Sequence, residues 1–210
     1  MNFFHFIGQN YADVLELTLE HLWLVGWSTF FAIVIGIPLG IAIARHPASS
    51  KPVLTVANII QTIPSLALFG FLLPVPWLGD RADRLAILAL TLYGLLPVIR
   101  NTYTGIRGVD PAVVEAGRGM GLTDSQLLFQ VQLPLALGVI LSGVRVAIVI
   151  SVGLATIAAA IGAGGLGEFI FRGLAMVNNQ LILAGAIPAA LLALLADFSV
   201  GWLERHLQPR

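Results

Sequence analysis

The stretch Asp110 to Pro134, DPAVVEAGRGMGLTDSQLLFQVQLP, is polar and broken by glycines in a chain that otherwise reads as lipid-facing helix. Asp110 before Pro111 is an N-cap followed by a first-turn proline, which predicts a helix from Ala112 carrying Val113, Val114 and Glu115. Gly117, Gly119 and Gly121 are expected to end it. Thr123 with Gln126 has the spacing of a capping box, so a second short helix is expected from Asp124 to Gln132, stopped by Pro134. Connections between packed helices usually run to about 2–8 residues. This insert is far longer, and two short helices on a glycine turn suit a docking knob for a soluble partner better than a plain loop.

The surroundings fix the setting. Of the 210 residues, 58% are hydrophobic and 10% charged, with a mean hydropathy of +0.92, whereas a soluble domain carries about 25% charged residues. The chain is therefore expected to be an all-α integral membrane protein, a single domain of about five spans over residues 22–44, 53–74, 85–107, 135–160 and 181–203, with 108–134 as the polar loop. No room is left for a separate catalytic domain. Lysine plus arginine and aspartate plus glutamate number 11 each, so no bulk attraction to nucleic acid is implied, and the absence of cysteine removes thiol chemistry. No Lys or Arg precedes Arg45 and no cleavage pattern follows a short apolar core, so the first span is expected to do the targeting.

Within the spans a few residues stand out. Residues 10–22 are amphipathic, with an acidic face of Asp13, Glu16 and Glu20; such a helix packs along a partner or extends the first span. Gly36 and Gly40 flank Pro38 at a spacing that serves helix packing. Gln61, Thr62 and Pro64 are polar or helix-breaking residues at membrane depth, as are Tyr93 and Asn101 in the third span. Such residues face either a translocation pathway or an interhelical hydrogen bond. Arg145 and Asp197 are charges inside the fourth and fifth spans, both in the half nearer the insert, and a buried charge without a partner is costly, so an ion pair between them is expected. A proton or ion relay through that pair is the sharper alternative.

Several chemistries are excluded. Lys51, the single lysine, has no glycine loop before it, so the chain holds no phosphate loop for nucleotide hydrolysis. Gly162, Gly164 and Gly167 satisfy G-x-G-x-x-G, but they follow a long apolar span and position 187 is isoleucine where an acid would be needed. A flexible hinge before a short helix at 168–174 is the better reading. His5, His21, His46 and His206 lack metal-ligand spacing and are expected to be interfacial, with no metal bound. With the insert in the cytoplasm, Arg45, Lys51, Arg107, Arg118, Arg205 and Arg210 fall inside against Arg81, Arg84 and Arg172 outside. The positive-inside rule then puts the N-terminus outside and the C-terminus in the cytoplasm.

The insert also resembles a known signature. Glu115-Ala116-Gly117, three residues, Gly121, nine residues, then Val131-Gln132-Leu133-Pro134 is similar to the E-A-A, G, I-x-L-P pattern of ABC importer permeases, with glycine for the second alanine and valine for isoleucine. The segments NIIQTIPSLAL (58–68), LLPVIRNTYTGIRGV (95–109) and ATIAAAIGAGGLGEFIFRGL (155–174) resemble permeases of osmoprotectant importers, which take up glycine betaine, choline or carnitine. Permeases of the methionine type are similar around the glycine hinge. The resemblance implies a MetI-like fold in a bacterial inner membrane. It implies a second permease copy or similar subunit, two copies of an ATPase carrying Mg-ATP, and an extracytoplasmic binding protein, with no cofactor on this chain. It also implies that Glu115, Ala116, Gly117, Gly121, Leu133 and Pro134 transmit ATPase motion. An amino-acid importer permease is one alternative, and an ion-coupled secondary transporter another.

Overall fold

The computed structural model describes residues 7–207, so His5 and Arg210 lie outside the described residues. Helix α1 runs Tyr11–Arg45 without interruption, and the acidic amphipathic segment is simply its first turns. Its 35 residues amount to about 52 Å at 1.5 Å per residue, well beyond the ~30 Å hydrocarbon core. Next come α2 (Ser50–Thr62), α3 (Ser65–Leu72) and α4 (Ala82–Arg107). The insert contributes α5 (Pro111–Gly119), and a long helix, α6, follows over Asp124–Ile161. Last are α7 (Gly167–Ala175) and α8 (Asn179–Leu207).

Close approaches fix the directions. Ala32 lies against Gly94, Gly36 against Val98 and Gly40 against Thr102, so α1 and α4 run parallel, with the two glycines letting the backbones meet. Gly94 meets Ala147, Gly143 meets Asn101 and Gly105 meets Ala136, so α6 runs antiparallel to α4. Two parallel spans joined by residues 46–81 require that this linker recross the membrane. The α2–α3 pair makes that crossing, which gives five in all.

That crossing is not the continuous helix expected over 53–74. It bends by 98° between α2 and α3. Pro64 cannot donate an amide hydrogen bond, and its ring drives the preceding residue out of the helical region; Ile63 accordingly has φ −68° and ψ 128°. A second departure occurs at Pro134, which does not stop a short helix. Residues Leu127–Gln132 form a π-helical turn that leads directly into α6 proper, Leu133–Ala158. The wider turn passes the Leu133 amide back to the Leu128 carbonyl, and the proline, which has no donor to place, enters as a first-turn residue.

The main core gathers Leu24, Phe69, Leu85, Leu90, Tyr93 and Ala155 among α1, α3, α4 and α6. A second cluster, Ile106, Leu128, Ala136 and Ile140, roots the insert in the spans. By contrast α8 leaves Leu191, Leu194, Leu195 and Phe198 exposed, a surface that suits lipid or a neighbouring subunit.

Candidate functional site: a docking insert and a braced helix break

The insert is built from local hydrogen bonds. The Ala112 amide donates to Asp110 Oδ1 at 2.8 Å, with Pro111 in the first turn. The helix passes through Gly117 and closes at Gly121, which has φ 85° and lets the Leu122 amide reach the Gly117 carbonyl at 3.1 Å and the Gly121 amide the Arg118 carbonyl at 2.9 Å. This is a Schellman closure, which favours glycine at the left-handed position. Gly117 therefore does not end the helix as expected. A Cβ there would lie 2.7 Å from Leu127 Cδ1, so the glycine is the seat on which α6 packs. Thr123 and Gln126 cap each other: the Thr123 amide donates to Gln126 Oε1 at 2.9 Å and the Gln126 amide to Thr123 Oγ1 at 3.3 Å.

With Leu127 and Leu128 buried, the outer surface of the insert carries Glu115, Ala116 and Pro134, with Leu133 half-buried at the root. It also exposes Val113, Met120 and Phe129, the last two at 76% and 66%. These apolar side chains on a polar insert are available to a partner. Neither exposure shows in the local sequence pattern: Phe129 lies in the π turn, which decides which side of the helix faces outward, and Met120 is the C-cap residue of α5.

At the α2–α3 break the structure brings Gln61, Pro64 and Tyr93 together. Pro97 lacks the amide that would have bonded the Tyr93 carbonyl one turn earlier; Gln61 Nε2 supplies a donor to that carbonyl at 3.5 Å. In return the Tyr93 hydroxyl donates to the carbonyl of Ile63, at the break itself. Pro97 leaves the Tyr93 carbonyl without its helical donor, the break at Pro64 leaves that of Ile63, and in each case the facing side chain takes it up. Tyr93 is buried in this brace, so its ring is not offered to a pathway. Thr62 Oγ1 donates to Ile59 O at 2.7 Å within its own helix. Asn101 lies lower on α4, donating to Pro97 O at 2.8 Å, and Gly143 packs on its side chain.

Arg145 and Asp197 form a bidentate pair, Nε to Oδ1 at 2.5 Å and Nη2 to Oδ2 at 2.6 Å. Glu204 Oε2 stands 3.8 Å from Arg145 Nη1, and a Cβ on Gly201 would lie 3.1 Å from the same nitrogen. Asp197, Gly201 and Glu204 thus form one stripe of α8 under the guanidinium. Gly201 and Glu204 were not anticipated, although the spacing 197, 201, 204 carries the signal. The two paired side chains are 36% and 41% exposed, so the pair looks outward from the subunit.

The glycine hinge is tied to α1. Gly162, Gly164 and Gly165 have φ near 80°, and the Gly165 amide donates to Glu20 Oε2 at 2.9 Å. The next residue, His21, is fully buried and donates from Nε2 to Val152 O at 3.1 Å. His21 is thus a bridge between α1 and α6 rather than an interfacial histidine. His46 and His206, which bond carbonyls of their own helices, are exposed.

A five-crossing helical bundle, carrying a two-helix insert with Met120 and Phe129 exposed between its third and fourth crossings, has the architecture of a multi-pass membrane permease. Residues 36–210 match the family described as binding-protein-dependent transport system inner membrane component, and the chain belongs to that family of ABC importer permeases. It is 48% identical over 205 residues to the glycine betaine/carnitine/choline transport system permease protein OpuCD of Bacillus subtilis (strain 168), covering 97% of this chain and 88% of that one. It is 42% identical to the osmoprotectant import permease protein OsmW of Salmonella typhimurium (strain LT2), covering 100% and 99%. In fold it is similar to the inward-facing MetNI methionine ABC transporter, with a TM-score of 0.85 at 24% identity over 93% of this chain and 96% of that one. The chain is a multi-pass inner-membrane component and is not itself catalytic.

Proposed function

We propose that this permease carries a small osmoprotectant of the quaternary-amine class, such as glycine betaine, choline or carnitine, into the cytoplasm. It works beside a second permease copy or similar subunit, with two ATPase subunits holding Mg-ATP on the cytoplasmic side and a binding protein delivering solute from outside. The N-terminus is external and the C-terminus cytoplasmic. ATP-driven closure of the ATPases acts through Glu115, Ala116, Gly117, Gly121, Leu133 and Pro134, and shifts the pathway between its two sides by favouring one of two conformations.

The observation that carries the coupling role is the rigidly capped insert with Met120 and Phe129 exposed at its surface. Identity of 42–48% to osmoprotectant permeases supports the substrate class; the likeness to the methionine transporter, at 24% identity, speaks for the fold alone. The test is uptake by proteoliposomes containing the permease and its ATPase, with ATP trapped inside and binding protein added outside. Radiolabelled glycine betaine or choline is expected to accumulate, and methionine not to. Accumulation without the ATPase would refute the reading in favour of an ion-coupled transporter.

A further inference from the structure

Between the insert and the ends of the spans lies a polar cavity of about 240 Å³, lined by Arg45, Arg107, Arg118, Asp124 and Gln132 over a floor that includes Leu127. The three arginines come from three elements: the last turns of α1, α4 and α5. An arginine at a helix end ordinarily complements the carbonyls there. Here, among the described residues, none of the three guanidiniums bonds a carbonyl, and at the end of α5 the amides of Met120, Gly121 and Leu122 already take Ala116, Arg118 and Gly117 O. The guanidiniums are left for another acceptor. Among the described residues Arg45 and Arg107 have no ion-pair partner, and Arg118 has only Asp124 at 3.9 Å. Three cations against one anion leave the lining two charges positive.

We infer that this cavity binds a phosphate-bearing anion that bridges Arg118 of the insert to Arg45 and Arg107 of the spans. A tetrahedral group with three or more acceptor oxygens can serve guanidiniums arriving from three directions, where a carboxylate has only two oxygens to offer. Arg45 ends an uncharged run and Arg107 is the last residue of α4, so the cavity sits at the membrane boundary, within reach of both a lipid headgroup phosphate and a soluble phosphate. Bound there, the anion ties the docking element to α1 and α4. The choice of leaflet rests on the orientation proposed above; binding does not, so a failure of either is separately visible.

The experiment is thermal denaturation of the detergent-purified full-length permease with its ATPase, at constant ionic strength. Inorganic phosphate, short-chain phosphatidylglycerol and, as the neutral control, short-chain phosphatidylcholine are titrated separately. Phosphate or phosphatidylglycerol is expected to raise the melting temperature where phosphatidylcholine does not. Arg45→Gln with Arg107→Gln is expected to weaken the apparent affinity at least tenfold, and Arg118→Gln alone to weaken it less. Arg205→Gln, a cytoplasmic arginine outside the cavity, keeps the response. A response to phosphatidylglycerol alone assigns the site to lipid; a response to phosphate assigns it to a soluble anion. If neither ligand stabilises the wild type, if the arginine variants respond as the wild type does, or if an ATPase carboxylate is found paired with Arg45 or Arg107 in the assembled complex, the inference is overturned. Should the double variant not fold, the Arg118→Gln titration decides alone.

Discussion

Replacing Tyr93 by phenylalanine keeps the ring and removes one hydroxyl, which makes it a clean probe of the bend between α2 and α3. The Ile63 carbonyl lies between the two helices, in extended backbone ahead of Pro64, and the Tyr93 hydroxyl is its donor. Interhelical hydrogen bonds within membrane proteins are worth about 0.6 kcal/mol on average and up to about 1.7, and a carbonyl left dry costs about 1–3 kcal/mol. Tyr93→Phe is therefore expected to cost about 1–2 kcal/mol. Gln61→Leu removes a bond at the 3.5 Å limit of geometry and is expected to cost less than about 1 kcal/mol. Both bonds hold one joint, so the double variant should fall short of the sum by about 0.5 kcal/mol or more. Stability is read by denaturation in mixed micelles. The bend is read by the distance between spin labels at Thr55→Cys and Gly70→Cys, exposed sites on either side of the break in a protein without native cysteine. Tyr93→Phe should broaden that distance distribution. An unchanged distribution with unchanged stability, or a larger cost for Gln61→Leu than for Tyr93→Phe, would refute the brace.

Four further outcomes follow from close contacts. Gly117→Ala should be nearly silent in transport, because its Cβ meets only side-chain tips, Leu127 Cδ1 at 2.7 Å and Leu122 Cδ1 at 3.3 Å, whereas Gly117→Phe should displace the α5–α6 contact and cut ATPase association in a pull-down while membrane insertion stays normal. Gly201→Leu should push the Arg145 guanidinium off Asp197 and lower folded yield. Replacing Arg145 and Asp197 together by Met and Leu should restore more folded protein than either single change, since an unpaired intramembrane charge is costlier than a missing pair; equal yields for single and double variants would contradict this. Glu20→Ala should raise hydrogen exchange at residues 162–166 by about tenfold, the scale of one charge-assisted bond to an amide, and unchanged exchange would show that the Gly165 contact does not hold the hinge.

What could be read in the sequence was what is decided within a few residues. Asp110, Pro111, Thr123 and Gln126 act on backbone groups two or three positions away, so their spacing alone describes the caps. The five apolar runs were likewise legible, because lipid imposes length and composition on each span. The bend at Pro64 was hidden because hydropathy sums composition and runs evenly across it, while the donor that completes the break is Tyr93, 30 residues on. His21 was misjudged for the same reason: its acceptor, Val152, lies 131 residues away. Pro134 was read as a stop because the rule for proline assumes α-helical hydrogen bonding, and a π turn removes that assumption. The Arg145–Asp197 pair was within reach because an intramembrane charge demands a partner and few were on offer.

The insert and the helix break stand at different depths, and the structure offers one continuous route between them. A push on Met120 or Phe129 meets a unit braced by its own hydrogen bonds: α5 is closed by the Schellman turn and α6 opened by the capping box. Leu127 seated on Gly117, and Leu128 packed against Ala44, Ile106 and Ala136, pass it to α1, α4 and α6. Along α4 the small-residue contacts at Gly36, Gly40, Gly94 and Gly105 leave little slack, and packed interfaces of this kind shift between arrangements rather than deform. The next feature met along α4 is the Pro97 gap, where Gln61 and Tyr93 hold the α2–α3 joint. The joint is thus the place where a rigid displacement of α4 would be converted into a change of angle. On this account a coupling defect and a bend defect should resemble each other: Gly117→Phe should alter the Thr55–Gly70 distance when ATPase and ATP are present, although residue 117 touches neither α2 nor α3.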